Sequence, residues 1–189
     1  MEWIIVILYT ISLLYLFVFS LGQLHLTRIY IKRKTENRPP EAPDFLPDVT
    51  VQLPVYNEKY VVERLIDAVV KMQYPREKLE IQILDDSTDE TSGIIYQKLE
   101  WLEKFGLDIK HICRGNRTGY KAGALQEALP LAKGEFIVIF DSDFIPDPDF
   151  LQKTLPYFQD AAIGAVQTRW GHINKNYSLV TELQALGLD

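Results

Sequence analysis

One cysteine, Cys113, in 189 residues excludes an internal disulfide, as expected of a chain that works in a reducing compartment. It reads as a strand-end packing residue. Internal repeats are absent, and low-complexity sequence is confined to one proline cluster. Basic residues are scarce: residues 39–189 hold 15 Lys and Arg against 24 Asp and Glu, with no basic stripe, which argues against nucleic acid as a partner. Charge is missing altogether from Trp3 to Leu24.

As a helix, that run of about 22 uncharged residues extends roughly 33 Å, enough to cross a hydrocarbon core of about 30 Å. A cleaved signal peptide needs positive charge before its apolar run and small residues after it. Glu2 precedes this one and Gln23-Leu-His-Leu-Thr-Arg28 follows it, so residues 1–27 read as a transmembrane helix. Arg28, Lys32, Arg33, Lys34 and Arg38 all follow on the carboxyl side, and basic flanks stay in the cytoplasm. The expectation is an amino terminus outside and a cytoplasmic domain at the plasma or inner membrane. The cations in 28–48 favour anionic headgroups. Pro39, Pro40, Pro43 and Pro47 in the same stretch lack amide donors and make an extended spacer. The folded domain then spans 49–189.

Within it, strand and helix patterns alternate. Strands are predicted at Val49–Leu53, Leu79–Leu84, Asp108–Cys113 and Glu135–Phe140, and helices at Lys59–Met72, Glu90–Phe105 and Tyr120–Lys133. A helix near Pro148–Phe158 and a strand near Gly164–Thr168 follow. Val61, Val62, Leu65, Ile66, Val69 and Val70 recur at helical spacing and supply a core-facing stripe. Ser87-Thr-Asp-Glu90 has capping-box spacing, and Asp147-Pro148 places a cap before a proline. The fold class is α/β with a largely parallel sheet.

Three strand ends carry chemistry. Asp141-Ser-Asp143 follows the apolar run Phe136–Phe140, and a turn there lets two hard carboxylates converge on Mg²⁺ or Mn²⁺, which in turn clamp phosphate oxygens. Leu53-Pro-Val-Tyr-Asn-Glu58 offers Tyr56 to stack on a nucleobase. Asp85-Asp-Ser-Thr-Asp89 offers Asp86 to accept a ring N–H from that base. Between them, Arg114-Gly-Asn-Arg-Thr-Gly-Tyr-Lys-Ala-Gly123 combines glycines for close backbone approach with Arg114, Arg117 and Lys121 as phosphate contacts. In open α/β sheets such ligands bind beyond the carboxyl ends of the strands, where helix amino termini favour anions.

In combination, Leu53–Lys59, Leu84–Asp89, Arg117-Thr-Gly-Tyr-Lys-Ala-Gly-Ala-Leu125 and Phe140-Asp-Ser-Asp-Phe144 resemble a family 2 glycosyltransferase of the cellulose-synthase-like group, similar to mannan and glucan synthases. The resemblance implies the GT-A nucleotide-diphospho-sugar transferase fold, Rossmann-like, behind the transmembrane helix. It implies Tyr56 and Asp86 at the base, Glu58 in the donor site, Lys121 at the phosphates, Asp141 at the ribose or metal, and Asp143 on the metal. The implied reaction moves a hexose from UDP-glucose or GDP-mannose to a growing β-glycan, with inversion. A lipid acceptor, or a non-catalytic nucleotide-sugar-binding module, is the alternative.

The acceptor-side Thr/Ser-Glu-Asp motif of such enzymes, whose Asp is the general base, is not found, because Thr181-Glu182 is followed by Leu183. Gln167-Thr-Arg-Trp170 is similar to the acceptor-binding Gln-x-x-Arg-Trp motif but stands too early, soon after Asp143. The general base is therefore unassigned and the chain reads as a donor-binding portion. His111 and His172 are bases by residue type only and read as packing and loop residues. A haloacid-dehalogenase phosphatase would also begin Asp-x-Asp, but it needs Thr where Ile145 stands.

Overall fold

The computed structural model describes residues 2–33, 44–169 and 171–188. The chain divides into two units, Met1–Pro40 and Glu41–Asp189. The first is one helix, α1 (Glu2–Arg33), long and apolar enough to cross a membrane by length and composition. Its large apolar side chains are exposed from Trp3 to Ile31. The hydroxyls of Thr10, Ser12, Ser20 and Thr27 each donate to the carbonyl four residues back, so α1 satisfies them internally, as an apolar surrounding requires. The helix runs beyond the expected end at residue 27, and Arg28 and Lys32 ride on it. Residues 34–43 of the spacer predicted over 28–48 lie outside the described residues.

The second unit is built on β1 (Val49–Val55), β2 (Leu79–Asp85), β3 (Asp108–Cys113) and β4 (Phe136–Ile139). The order is β3-β2-β1-β4 with every pairing parallel. Helices α2 (Val62–Val70), α3 (Thr91–Leu102), α4 (Tyr120–Ala128), α5 (Phe150–Thr154) and α6 (Leu179–Leu188) fill the intervals and the carboxyl end. Val51, Leu53, Ile81 and Ile83 pack with Leu65, Ile66 and Val69 of α2 and Ile95 of α3, all essentially inaccessible. Each such side chain contributes roughly 1.5–3 kcal/mol. Leu84, pointing the opposite way by strand alternation, meets Ala124 and Ala128 of α4.

Below α4 the sheet is polar. The registered pairs Thr50↔Glu80 and Gln52↔Gln82 are buried and bonded side chain to side chain: Thr50 Oγ1 donates to Glu80 at 2.6 Å and Gln52 Nε2 to Gln82 Oε1 at 3.0 Å. Glu80 also accepts the Lys133 amide at 2.8 Å and the Lys110 ammonium, while Thr50 Oγ1 accepts the Gly134 amide. Burial alone would raise the Glu80 pKa; the bonds from Lys110, Thr50 and Lys133 outweigh it and hold the group below its ordinary value.

Several predicted boundaries move, each for a local reason. The first helix of this unit starts at Val62 instead of Lys59, because Asn57 adopts φ 56° and the chain turns through Glu58, whose carbonyl accepts from both Val61 and Val62. The helix predicted over 120–133 stops at Ala128 and tightens into a 3-10 turn, Leu129–Leu131, since Pro130 has no amide to continue the ladder. Pro156 does the same after α5, in Leu155–Gln159. Helix α3 tightens over Glu103–Phe105 and ends at Gly106, with φ 65°.

Both predicted caps fail. The amino-terminal cap position of α3 is Glu90. Ser87 Oγ instead accepts the Asn57 amide, Asp89 accepts the Thr91 amide, and Glu90 pairs with Lys59. The cap of α5 is Asp149, two residues past Asp147. The strand predicted near Gly164–Thr168 does not form: these residues pair with no ladder among the described residues.

Candidate active site: one cleft at the strand carboxyl ends

With β1 flanked by β2 on one side and β4 on the other, the sheet reverses its winding between β1 and β4, where an open α/β sheet leaves a crevice. A cleft of about 520 Å³ occupies that place. Its walls include Tyr56 and Glu58 from the end of β1, Asp86 from the end of β2, Lys121 from α4, and Asp141 and Asp143 from the end of β4. All six residues singled out in the sequence thus meet in one cavity, floored by Pro54, Leu84 and Ala124.

Backbone bonds past the strand ends set these positions. The Asp86 amide donates to Val55 O at 3.0 Å and the Phe140 amide to Gln52 O at 3.2 Å, so β2 and β4 are carried to the rim in register with β1. The Phe144 amide then closes a turn onto Asp141 O at 3.0 Å, and this turn holds both aspartates. Lys121 forms an ion pair with Asp141. Asp143 is exposed, and among the described residues no ion pair or side-chain hydrogen bond reaches it. Two hard carboxylates, one of them unpaired, fit the donor set of Mg²⁺ or Mn²⁺.

Arg114, expected at the phosphates, is elsewhere. Its guanidinium is forked onto Asp86, Nε to Oδ1 at 2.8 Å and Nη2 to Oδ2, with the two side chains only 5% and 6% exposed. It also donates to the carbonyls of Thr118 and Tyr120 and to Glu127. The reason is a loop that folds back over α4: a Cβ at Gly123 would stand 2.0 Å from Thr118 O, so only glycine admits the approach. Arg117, by contrast, faces the cleft, its guanidinium carbon 3.2 Å from the centroid of the Tyr56 ring.

Asn57 was passed over in the sequence. Its amide donates to Ser87 Oγ at 2.9 Å and its Oδ1 accepts the Thr88 amide at 2.8 Å, clasping the loop of Tyr56 to the loop of Asp86. Tolerance of positive φ by asparagine was the available signal. Cys113 is exposed at its strand end and His111 bonds Asp85 at 2.9 Å, so neither is mere packing. His172 has a buried Nε2 without a partner among the described residues. Thr181 serves the start of α6, exchanging hydrogen bonds with Ser178 and donating to Lys175 O. Gln167-Thr-Arg-Trp170 has one residue between Gln and Arg where the acceptor motif has two; Trp170 lies outside the described residues.

Residues 50–185 match the model of glycosyl transferase family 2. The chain belongs to glycosyltransferase family 2. Within that family it is 41% identical, over 149 residues, to glucomannan 4-beta-mannosyltransferase 1 of Cyamopsis tetragonoloba, and 42% identical to probable glucomannan 4-beta-mannosyltransferase 11 of Oryza sativa subsp. japonica. Each alignment takes in 76% of this chain but only 28% and 26% of the relative, so the chain spans about a quarter of the curated relatives' length. Among solved structures, the mannosyltransferase PcManGT from Pyrobaculum calidifontis, in complex with GDP-Man and Mn²⁺, superimposes with a TM-score of 0.65 at 31% identity, over 80% of this chain and 46% of that one. The fold is therefore GT-A, as the family resemblance implied.

Proposed function

We propose that this family 2 chain is the donor-binding part of a membrane-anchored, inverting hexosyltransferase that uses a nucleoside-diphosphate sugar and extends a β-glycan. The observation that carries the reading is the single cleft into which Tyr56, Glu58, Asp86, Lys121, Asp141 and Asp143 all open. The names of the relatives and the GDP-Man and Mn²⁺ of the archaeal neighbour favour mannose from GDP-mannose over glucose from UDP-glucose.

The roles follow from the groups present. Each Asp86 oxygen gives one lone pair to Arg114 and keeps another for the N–H of a base. Arg114 fixes the direction of that carboxylate and supplies its counter-charge at low exposure. Tyr56 offers a ring face that Arg117 now covers; a planar base entering there replaces a planar cation and leaves Arg117 free for the diphosphate. Lys121, on a flexible stem, can transfer from Asp141 to a phosphate oxygen. Asp141 and Asp143 would hold Mg²⁺ or Mn²⁺, which when bound neutralises charge gathering on the leaving diphosphate.

In this reading helix α1 is the anchor, and the cations Arg28–Arg38 support a cytoplasmic side for the domain. A tag after Asp189 should stay protected in intact cells while one before Met1 is accessible; labelling of the carboxyl-terminal tag by an impermeant reagent overturns the orientation. For the reaction, the detergent-solubilised chain should bind GDP and UDP with Mn²⁺ in calorimetry, GDP more tightly. Absence of Mn²⁺-dependent binding of either nucleotide overturns the reading.

A further inference from the structure

On the far side of Asp86 from the cleft, the ends of β2 and β3 bring together Asp85, His111 and Cys113. They come from paired strands in fixed register, with Asp85 opposite Cys113 and His111 two residues earlier on the same face. His111 Nε2 lies 2.9 Å from Asp85 Oδ2 and 3.4 Å from Cys113 Sγ, and the three donor atoms all lie within 4.8 Å of one another. We propose that Asp85, His111 and Cys113 form a second metal site, distinct from the Asp141–Asp143 pair, which takes a borderline-soft divalent ion of the Zn²⁺ class and leaves one coordination position open.

The geometry needs little adjustment. With Zn–N about 2.0–2.1 Å, Zn–O about 2.0–2.2 Å and Zn–S about 2.3 Å, a tetrahedral ion separates its nitrogen and oxygen by roughly 3.3 Å and its nitrogen and sulfur by roughly 3.6 Å. The nitrogen–oxygen and nitrogen–sulfur gaps therefore each open by a few tenths of an ångström, and the oxygen–sulfur gap, now within 4.8 Å, moves to roughly 3.6 Å. Without metal the arrangement is incompletely served, because one ring nitrogen faces two partners and carries at most one proton for them. The remaining Asp85 oxygen accepts the Ser87 amide at 2.9 Å, which orients the carboxylate as an outer-shell bond does in metal sites.

The charge balance favours a cation. Burial alone would raise the pKa of Asp85, but hydrogen bonds from His111, Ser87 and Ser92 hold it far below the carboxylate range, so it is an anion. Burial, with the charges of Asp85 and Asp86, pushes the Cys113 thiol up. An arriving cation pairs with the carboxylate and must displace the thiol proton. On binding, Cys113 releases its proton to solvent and His111 turns the Nε2 lone pair to the ion, with a ring proton on Nδ1. The ligand set of nitrogen, sulfur and one carboxylate selects against Mg²⁺ and Ca²⁺, which seek oxygen. The bound ion would tie β2 to β3 directly behind Asp86.

The test uses the whole chain in detergent, with a non-thiol reductant and excess Mg²⁺ to occupy the oxygen site, titrated with Co²⁺ as a spectroscopic substitute for Zn²⁺. The expected result is one equivalent of tetrahedral Co²⁺ with a thiolate-to-metal charge-transfer band, displaced by Zn²⁺. Cys113→Ser should abolish the band, and His111→Gln should weaken Co²⁺ binding at least tenfold. Zn²⁺ should raise the melting temperature of the parent but not of Cys113→Ser, a conservative change at an exposed position. Absence of the band, or a band equally strong in a folded His111→Gln variant, overturns the site, as does a Zn²⁺-induced thermal shift that survives Cys113→Ser.

Discussion

Truncation of Arg114 is the sharpest test of how the cleft is built. Arg114→Ala removes both arms of the fork onto Asp86 and leaves a carboxylate 6% exposed with no counter-charge in the fork. Breaking a buried pair by deleting one partner costs about 3–5 kcal/mol, because the surviving charge keeps its desolvation cost without the compensation. In a unit of this size about 1 kcal/mol moves the melting temperature by roughly 2–4 °C, so the expected fall is on the order of 6–20 °C. Arg114→Lys keeps the charge but not the fork and should fall between parent and alanine variant. The deciding measurement is the double variant Arg114→Ala/Asp86→Asn. If the cost lies in the stranded anion, neutralising it recovers at least half of the lost melting temperature, and the cycle shows strong coupling. Thermal unfolding followed by tryptophan fluorescence in detergent reads the parent, Arg114→Ala, Arg114→Lys, Asp86→Asn and the double variant. A fall below about 2 °C for Arg114→Ala, or no recovery in the double variant, refutes the argument that this pair is an interior one.

Asp143→Asn should weaken Mn²⁺-dependent binding of GDP or UDP at least tenfold, about 1.4 kcal/mol, with the melting temperature unchanged because the side chain is exposed; calorimetry decides it. Gly123→Ala should destabilise strongly and impair nucleotide binding, since the new methyl meets Thr118 O at 2.0 Å, whereas Gly115→Ala, with open space around it, should behave as the parent in the same melting assay. Glu80 and Asp85 both have folded-state pKa values below their ordinary ones, so the stability they supply is fully present above the ordinary carboxylate range and is lost as pH falls through the folded values. Denaturation between pH 7 and pH 3 should show a decline that begins near pH 5, and Glu80→Gln should flatten part of it.

The sheet was legible because β4 is an apolar run and β1 to β3 alternate apolar with polar residues between turn signals, and β3 forms over the predicted Asp108–Cys113. Helix ends were less legible because prolines such as Pro130 and Pro156 turn the last helical turn into 3-10 without interrupting the apolar pattern. The six cleft residues were legible because strand ends in a parallel sheet all emerge on one rim. The partner of Asp86 was not: Arg114 reads equally well as a phosphate ligand until the loop is seen to fold over Gly123. Nor does spacing tell that Ser87 would leave its own helix to serve Asn57 across the gap, since a cap competes with any amide that tertiary structure brings closer.

The order β3-β2-β1-β4 has a consequence for biosynthesis. Strand β1 ends at Val55 and its second neighbour begins at Phe136, about 80 residues later, which at about 5–20 residues per second takes a ribosome roughly 4–16 s. During that interval β2 and β3 can already pair, while the other edge of β1, Val49–Gln52, stands open with unmatched amides and carbonyls, a template for any passing strand. The nascent domain is therefore most vulnerable to misassociation before Asp141 and Asp143 have been synthesised, and the cleft at the strand ends is the last part of this sheet to exist.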